Sequence, residues 1–473
     1  MSGLRVRLPR QFKNSPRTIA LTQESFKDGP VFVDQPDCSV VLEEDVIINF
    51  SLTPPPEASP FHLGWFGAII VRASRVHIDL KGHTMKMADV YIHKQRFFAI
   101  IELCNTPLPK GKGGFKTEPV ANDDITVRNG RIESTSHHCI HAVLSGRRWL
   151  FEDLEMSSFE VGAISVNAVN DLMIRRCKIG APKRPVTTSD EVMIRDLAKS
   201  CDRIGSRQVA AELRRMLTTM SGPPQASDAL IRCIVVMPKF NVGRPKAAEE
   251  SERIRRISIH DITFSNIKAS PIEVVGIRGA DGLPLKDVNG NLIAHSDAIA
   301  GNRLARTQAL VSTDLPTHIR KQMLDGPYQG EKAFGFDRRG HDLVQKASLY
   351  VRVDGANGVS LSNLICGSVL STGDHSAAVG LMMNDCSNCT IDSVHIEGVR
   401  ITDHCVSALS DMRPQSGLYI RDTNHVKVAK YDYSSSNSCS CTLRDVDTAT
   451  LSKCAFAAPM TAFRTSNVKM DVN

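Results

Sequence analysis

Three histidines and one glutamate form the densest group of ionisable side chains in the sequence. His137, His138 and His141 lie close together, and Glu160 follows 24 residues after Ser136. If the chain returns on itself at that interval, Glu160 lies one turn away from His137. A histidine next to a carboxylate can bind a metal ion or transfer a proton. The alternative is a turn packed by imidazoles whose nitrogens bond to backbone carbonyls, and the residues alone favour it.

Three stretches of the sequence align with one another at a nearly constant spacing. Residues 125–129, 149–153 and 172–176 begin 24 and 23 residues apart, and each stretch alternates apolar with polar residues. Alternation is typical of a half-buried strand, and a repeat of this length is typical of a solenoid of stacked coils. Because crossovers between parallel strands are nearly always right-handed, the sequence predicts an all-β, right-handed parallel β-helix with helical insertions. An antiparallel sandwich would instead require hairpin turns at shorter spacing.

The repeat also predicts which side chains stack. The apolar residues Val127, Phe151 and Ile174 should lie over one another in a dry interior. Outside, opposite charges should alternate from coil to coil and attract one another. The predicted columns are Arg128, Glu152 and Arg175; Arg131, Glu155 and Lys178; and Asn129, Asp153 and Arg176.

Breaks in the repeat divide the chain into three parts. Residues 1–60 are predicted to be an N-terminal capping segment, 61–456 the β-helix, and 457–473 a C-terminal tail. Two stretches, at about 181–230 and 280–347, lose the strand pattern and carry helix start and stop signals. Insertions of this kind often fall on the binding face of a repeat protein. That they merely cover exposed coil edges is an equal alternative.

Composition argues against several classes of protein. The net charge is +7 without a basic stripe, and aromatic residues make up only 5%, which argues against nucleic-acid binding. No apolar run approaches the ~18 residues of a membrane span, and no secretory signal follows Met1. Thirteen scattered cysteines favour reduced thiols in the cytosol. We expect neither a cofactor nor a metal ion.

A polysaccharide-cleaving enzyme would need further groups. A hydrolase needs carboxylates about 5–9.5 Å apart on one face, and a lyase needs a base beside a cation or a metal ion. Glu152 with Asp153 and Asp374 with His375 are candidates. The predicted register places the first pair among arginines, however, so a column of alternating charge explains it better.

The stacked coils resemble the pectin-lyase-like right-handed β-helix superfamily over most of residues 31–456. Four phrases are similar to uncharacterised β-helix proteins of large nucleocytoplasmic DNA viruses. They are VHIDLKGH at 76–83, RFF at 96–98 with IEL at 101–103, SHHCIH at 136–141, and PIEVVG at 271–276. The chain lacks the recognisable acidic motifs of the superfamily's pectinases and epimerases. The resemblance therefore implies the fold and a viral context rather than a reaction.

These observations together predict a non-catalytic structural or interaction protein, a component of a large virus particle. Its expected partners are other structural proteins or further copies of itself, bound through the helical insertions, with glycans as another class. The alternative is a carbohydrate-active enzyme or glycan-binding protein, a polysaccharide lyase or hydrolase centred on His137, His138, His141 and Glu160. A cellular scaffold is the third hypothesis. The expected location is the cytosol, or the assembled virion.

Overall fold

The structure is a computed structural model, and it describes most of the chain. The described residues are 4–12, 15–50, 65–94, 98–105, 120–143, 146–180, 186–187, 211, 231–238, 253–269, 273–274, 347–371, 377–401, 415–436 and 438–471. The two predicted insertions lie almost wholly outside these ranges, so their helices and their role in contacts stay predictions. The candidates Asp374 and His375 lie outside them as well.

Two long parallel sheets account for nearly all described strands, which are numbered in chain order. Sheet A contains β1 (Arg17–Leu21), β3 (Cys38–Leu42), β4 (Val46–Ile48), β6 (Val76–Asp79), β7 (Thr84–Met87), β9 (Asn122–Glu133), β11 (Gly146–Ser157), β13 (Val169–Ile179), β16 (Ile254–Phe264), β17 (Ile267–Ala269), β20 (Ala356–Ser371), β22 (Ser387–Ile401), β24 (Asn424–Tyr433), β26 (Ala449–Ser452), β27 (Ala455–Phe456) and β29 (Val468–Asp471). Sheet B contains β2 (Val31–Val33), β5 (Gly67–Val71), β8 (Ala99–Glu102), β10 (His138–Ala142), β12 (Gly162–Asn167), β15 (Arg232–Met237), β19 (Ala347–Asp354), β21 (Ala377–Asn384), β23 (Gln415–Arg421), β25 (Cys439–Arg444) and β28 (Met460–Phe463). The short strands β14 (Val186–Thr187) and β18 (Glu273–Val274) pair separately.

The chain alternates between the two sheets as it advances. The main path of sheet A runs β1-β3-β6-β9-β11-β13-β16-β20-β22-β24-β26-β29, and sheet B runs β2-β5-β8-β10-β12-β15-β19-β21-β23-β25-β28. Each strand therefore pairs with the strand one coil earlier and the strand one coil later. We call one such step, ~4.8 Å, a rung. This topology confirms the all-β parallel β-helix and contradicts the antiparallel sandwich.

The predicted stacking of apolar side chains is confirmed. Val127 pairs with Phe151, and Phe151 pairs with Ile174, and all three are fully buried. Trp149 lies beside them in the same core. Because every coil contributes inward side chains from both sheets, the core is one continuous column between the sheets.

The predicted charge columns are confirmed too. Arg128, Glu152 and Arg175 are in register, and Arg175 Nε donates to Glu152 Oε2 at 2.8 Å. Arg176 Nε donates to Asp153 Oδ1 at 2.7 Å. Glu152 and Asp153 thus belong to ion pairs between coils rather than to a pair of catalytic carboxylates.

A column of residues with left-handed backbone bends the longer strands of sheet A. Its members have φ between 50° and 59°: Asn129, Asp153, Arg176, Asp261, Asn363, Ser393, Lys430 and Lys453. Asparagine and aspartate adopt this conformation more readily than most residues. After the bend at Asp153, Leu154 and Met156 again point into the core.

A second left-handed column lies where each sheet A strand begins, and its charges alternate strictly. We call it the corner ladder: Asp37, Arg75, Asp124, Arg148, Asp171 and Arg256. Arg75 Nε donates to Asp37 Oδ1 at 2.7 Å, and Arg148 Nη2 donates to Asp124 Oδ2 at 2.8 Å. These ion pairs tie successive coils together.

The coils extend beyond the predicted span of 61–456 at both ends. The first strand, β1, pairs in parallel with β3, and the last strands, β28 and β29, continue sheet B and sheet A. The helical elements among the described residues are short: a 3₁₀ helix (Gln23–Phe26) and α1 (Asp89–Lys94). Within the same ranges, no helix is both long and apolar enough to cross a lipid bilayer.

Candidate functional site

His138 and His141 lie on the outer face of sheet B, in β10, and His137 directly precedes that strand. Ile140 and Ala142 point into the core, so His141 between them points outward. Ile101 and Leu103 are also core residues, and Glu102 between them therefore faces outward on the neighbouring rung. Strand pairing aligns Glu102 directly with His141.

Glu102 and His141 form a buried, charge-assisted pair. The His141 Nδ1 atom lies 2.6 Å from Glu102 Oε2, and the two side chains are 9% and 2% exposed. When Glu102 is ionised, Nδ1 of His141 carries the proton, because a carboxylate only accepts hydrogen bonds, and the lone pair of the ring then lies on Nε2. A buried carboxylate that orients an imidazole in this way prepares it to act as a general base.

The other two histidines pack around this pair. The rings of His138 and His141 are stacked, with centroids 5.2 Å apart and planes 16° apart. His137 meets His138 edge-on, with centroids 4.1 Å apart. The structure therefore brings all three predicted histidines together.

Burial sets the charge of the groups on this face. Burial raises the pKa of Glu102, while the charge of His141 and its hydrogen bond act in the opposite direction. Burial lowers the pKa of His138 well below its usual value, helped by the nearby charges of His137, His141 and Arg232. His138 is therefore a neutral imidazole at about pH 7.

Gly162 allows His138 and the strand that carries Arg232 to approach closely. His138 aligns with Gly162, and one rung further, in the register of β12 and β15, lies Arg232. A Cβ atom at Gly162 would lie 2.4 Å from the Arg232 carbonyl oxygen and 3.0 Å from His138 Cδ2. Only glycine leaves room for this approach.

The guanidinium of Arg232 lies near the charges of Arg352 and Asp354. Burial and the charge of Arg352, opposed by the charge of Asp354, lower the pKa of Arg232 to about 9. The guanidinium thus stays charged at about pH 7. Arg352 is itself paired, since its Nε and Nη2 donate to Asp354 Oδ2 at 2.9 and 2.5 Å.

Several polar atoms of this face are buried without a hydrogen-bond partner. In the part of the chain that the structure describes, they are Glu102 Oε1, His138 Nδ1, Asn167 Oδ1, Arg232 Nε and Asp354 Oδ1. Buried polar groups are normally satisfied by protein or by ordered water. These acceptors and this donor are spread over one sheet face from β8 to β19, an arrangement suited to an extended polar ligand. Across all the residues that the structure describes, no set of three His, Cys, Asp or Glu side chains is placed to hold a metal ion.

Glu160 lies close to the histidines, in the turn before β12. It is buried, and its backbone N–H donates to the Thr135 carbonyl at 3.1 Å. The next two N–H groups, of Val161 and Gly162, donate to the His137 carbonyl. Glu160 therefore lies one rung from His137, and its role in chemistry stays a prediction.

Sequence reasoning missed Glu102 and Arg232. Glu102 precedes its partner His141 by 39 residues, instead of about 24, because residues 106–119 lengthen that coil. Arg232 is displaced in the same way, since residues 181–230 separate it from the preceding coil. One signal was available in the sequence, because Glu102 lies inside the apolar stretch 99–103. A fully buried strand tolerates an acid only where that acid has a partner.

Comparison with known proteins gives likenesses to solved structures only. No family model matches the chain, and no curated protein matches its sequence. A Family 28 exopolygalacturonase of Yersinia enterocolitica is similar at 8% identity and a TM-score of 0.38, over 96% of this chain and 72% of that one. The A-module of a mannuronan C-5 epimerase of Azotobacter vinelandii gives 8% and 0.29, over 92% and 88%. An endo-xylogalacturonan hydrolase of Aspergillus tubingensis gives 9% and 0.25, over 98% and 94%.

These likenesses correct the functional prediction. All three proteins have the pectin-lyase-like right-handed β-helix fold, a parallel coil architecture that the strand pairing of this chain displays directly. All three are carbohydrate-active enzymes by name, and none links the chain to DNA viruses. The prediction of a non-catalytic structural or interaction protein of a virion is therefore wrong. The names of these three proteins agree with the alternative prediction, a carbohydrate-active enzyme or glycan-binding protein, which stays a prediction for this chain.

Proposed function

We propose that this protein cleaves an acidic polysaccharide by abstracting a proton from the carbon next to a sugar carboxylate. The observation that carries the proposal is the buried Glu102–His141 pair, whose Nδ1–Oε2 distance is 2.6 Å, on the same sheet face as Arg232 and Arg352. This is the combination that a lyase requires: a base, and a cation that stabilises the carbanion. The reaction class is β-elimination.

Each residue has a distinct part in the proposed step. His141 Nε2 takes the proton from the carbon, and the electron pair of the broken C–H bond forms a C=C double bond. The bond to the leaving sugar oxygen then breaks, that oxygen takes a proton from water, and the His141 imidazolium returns its proton to the solvent. Glu102 holds the imidazole in the required tautomer and stabilises the imidazolium that forms.

Arg232 supports the negative charge that develops on the sugar carboxylate. Its charge contributes, after burial and the charges of His137 and His141, to the lowered pKa of His138, and Gly162 lies between the two residues in the strand register. An arginine guanidinium recognises a carboxylate with two parallel hydrogen bonds. The substrate is therefore a polymer that contains uronic acids.

The spacing of carboxylates argues against a hydrolytic pair of Glu102 and Asp354. Glycoside hydrolysis uses two carboxyl groups about 5–9.5 Å apart. Asp354 on β19 lies four rungs from Glu102 on β8. Four rungs correspond to about 19 Å, which is too far for a catalytic pair. Glu160, one rung from His137, is the nearer acid, and the product of the reaction distinguishes elimination from hydrolysis.

A panel of polysaccharides tests the proposal. The full-length chain is incubated with polygalacturonate, polymannuronate and a neutral xylan, and the unsaturated product is followed by its ultraviolet absorbance. We expect product from at least one acidic polymer and none from xylan. New reducing ends without ultraviolet absorbance would indicate hydrolysis, and binding without product would indicate a lectin; either result overturns the proposal.

A matched variant links the activity to the site. His141→Ala should lower the rate about 10²–10⁴-fold, the usual contribution of a general base. His395→Ala is the control, because His395 Nδ1 lies 2.7 Å from Asp432 Oδ2 in a similar pair between neighbouring rungs, but on sheet A. Equal losses in both variants would contradict the assignment of His141.

A further inference from the structure

The N-terminal residues 4–12 cross the coils instead of joining a sheet. The backbone N–H of Arg7 donates to Asp171 Oδ1 at 3.0 Å, and that of Arg10 donates to Asp124 Oδ1 at 2.8 Å. Further along, the Phe12 ring packs on His77 with centroids 4.2 Å apart. Both aspartates belong to the corner ladder. We call residues 4–12 the arm.

The arm and the ladder match in spacing. Asp124 and Asp171 are two rungs apart, with Arg148 between them, a distance of about 10 Å. Arg7 and Arg10 are three residues apart, and three residues of extended chain also span about 10 Å. An extended peptide laid along the axis therefore presents an amide to each aspartate at every third residue.

The same period continues at the first described residue of the arm. Leu4 lies three residues before Arg7, and Gly358 lies two rungs beyond Asp171 through Arg256. A Cβ atom at Gly358 would lie 2.9 Å from Leu4 Cδ1. A glycine therefore lies one rung beyond the last residue of the ladder, at the position where the side chain of Leu4 packs.

Charge complements the spacing. Asp124 is 3% exposed and Asp171 is 2% exposed. Burial raises the pKa of Asp124, but the hydrogen bonds from Arg148 and from the Arg10 amide, with the charges of both arginines, hold it below its usual value. Asp171 behaves in the same way between Arg256 and Arg7. Each aspartate therefore stays ionised between an arginine of the ladder and an arginine of the arm.

We propose that the corner ladder is a docking groove for an extended basic peptide, and that the arm of this chain is the ligand that occupies it. In the groove, Asp124 and Asp171 accept hydrogen bonds from backbone amides that are three residues apart in the peptide. Recognition depends on these amides and on positive charge, and it tolerates different side chains at the intervening positions. The groove lies at the corner between the sheets and is separate from the outer face of sheet B.

Two full-length variants release the arm to different degrees. Arg7→Pro with Arg10→Pro removes both side chains and both N–H donors, whereas Arg7→Ala with Arg10→Ala removes the side chains alone. We expect trypsin to cleave after Arg5 at least about tenfold faster in the proline variant than in the alanine variant, since two charge-assisted hydrogen bonds are lost. Equal rates of cleavage would show that amide register does not hold the arm.

A synthetic peptide tests the vacated groove without altering its walls. The receptor is the full-length proline variant, and the probe is a fluorescent peptide of residues 1–12, followed by anisotropy. We expect saturable binding, a loss of affinity of at least about tenfold when the amides of Arg7 and Arg10 are N-methylated, and little change when those of Val6 and Leu8 are. No saturation, or equal losses for both methylated peptides, overturns the proposal.

Discussion

Replacing Glu102 with glutamine separates the catalytic use of this carboxylate from its effect on stability. The side chain is 2% exposed and accepts a hydrogen bond from His141 Nδ1 at 2.6 Å. Glutamine preserves the shape, but a neutral amide accepts about half as strongly as a carboxylate and does not balance an imidazolium. We therefore expect kcat/KM on the acidic polymer to fall ~10²–10⁴-fold. This corresponds to about 3–5 kcal/mol of lost transition-state stabilisation.

The same substitution should not destabilise the fold at neutral pH. Burial raises the pKa of Glu102 against the opposing effect of His141, so folding favours the protonated acid over the carboxylate. The carboxylate therefore lowers the free energy of unfolding at a pH above its folded pKa, and this effect vanishes below about pH 4, where the unfolded chain is also protonated. We expect the Tm of Glu102→Gln to equal or exceed that of the parent at about pH 7, and the two Tm curves to converge towards about pH 4.

Two measurements on the same preparation check this reasoning. Initial rates of double-bond formation give kcat/KM, and differential scanning calorimetry from about pH 4 to pH 8 gives Tm. A kcat/KM within about threefold of the parent would refute the assignment of the Glu102–His141 pair. A lower Tm at neutral pH would refute the sign that we derive from burial.

Three further predictions concern the core, the site and the thiols. Phe151→Ala should lower the free energy of unfolding by about 3–5 kcal/mol in denaturant titrations, while Ile365→Ala, at a side chain 57% exposed, should change it by less than about 0.5 kcal/mol; similar losses would contradict the stacked core. Gly162→Ala places a Cβ 3.0 Å from His138 Cδ2, so kinetics should give a lower kcat/KM, with about 1–3 kcal/mol of overpacking in denaturant titrations; an unchanged kcat/KM would contradict the tight approach. Of the 11 described cysteines, Cys439 is the one that is not buried, so mass spectrometry of the native protein treated with iodoacetamide should find it alkylated before the other ten.

The fold follows from the sequence because its signal is local and periodic. The offset between Trp149 and Leu172 is close to that between Ile125 and Trp149, and the structure aligns all three. Where coil length stays constant, counting residues yields the register. The same count placed Glu152 beside Arg175, an ion pair that the structure contains.

The site was predicted only in part. The histidines were identified because they are neighbours in the chain. Glu102 was not identified, because the residue that pairs with His141 lies on the neighbouring coil and the number of residues per coil varies. The prediction of a virion protein failed for a related reason. Short sequence phrases shared among β-helices indicate that a coil forms, but the chemistry at a coil depends on side chains from the neighbouring coils.

The amino-acid sequence alone determined which apolar residues of the regular coils are buried, the register of those coils and the alternating charges on their surface, because each depends on spacing along the chain. Only the tertiary structure decided that Glu102, His138, His141 and Arg232 share one buried face. It alone also decided that Asp124 and Asp171 receive the amides of the arm. These contacts join residues 39 to 164 positions apart, and segments of unequal length between coils remove any period that would have revealed them.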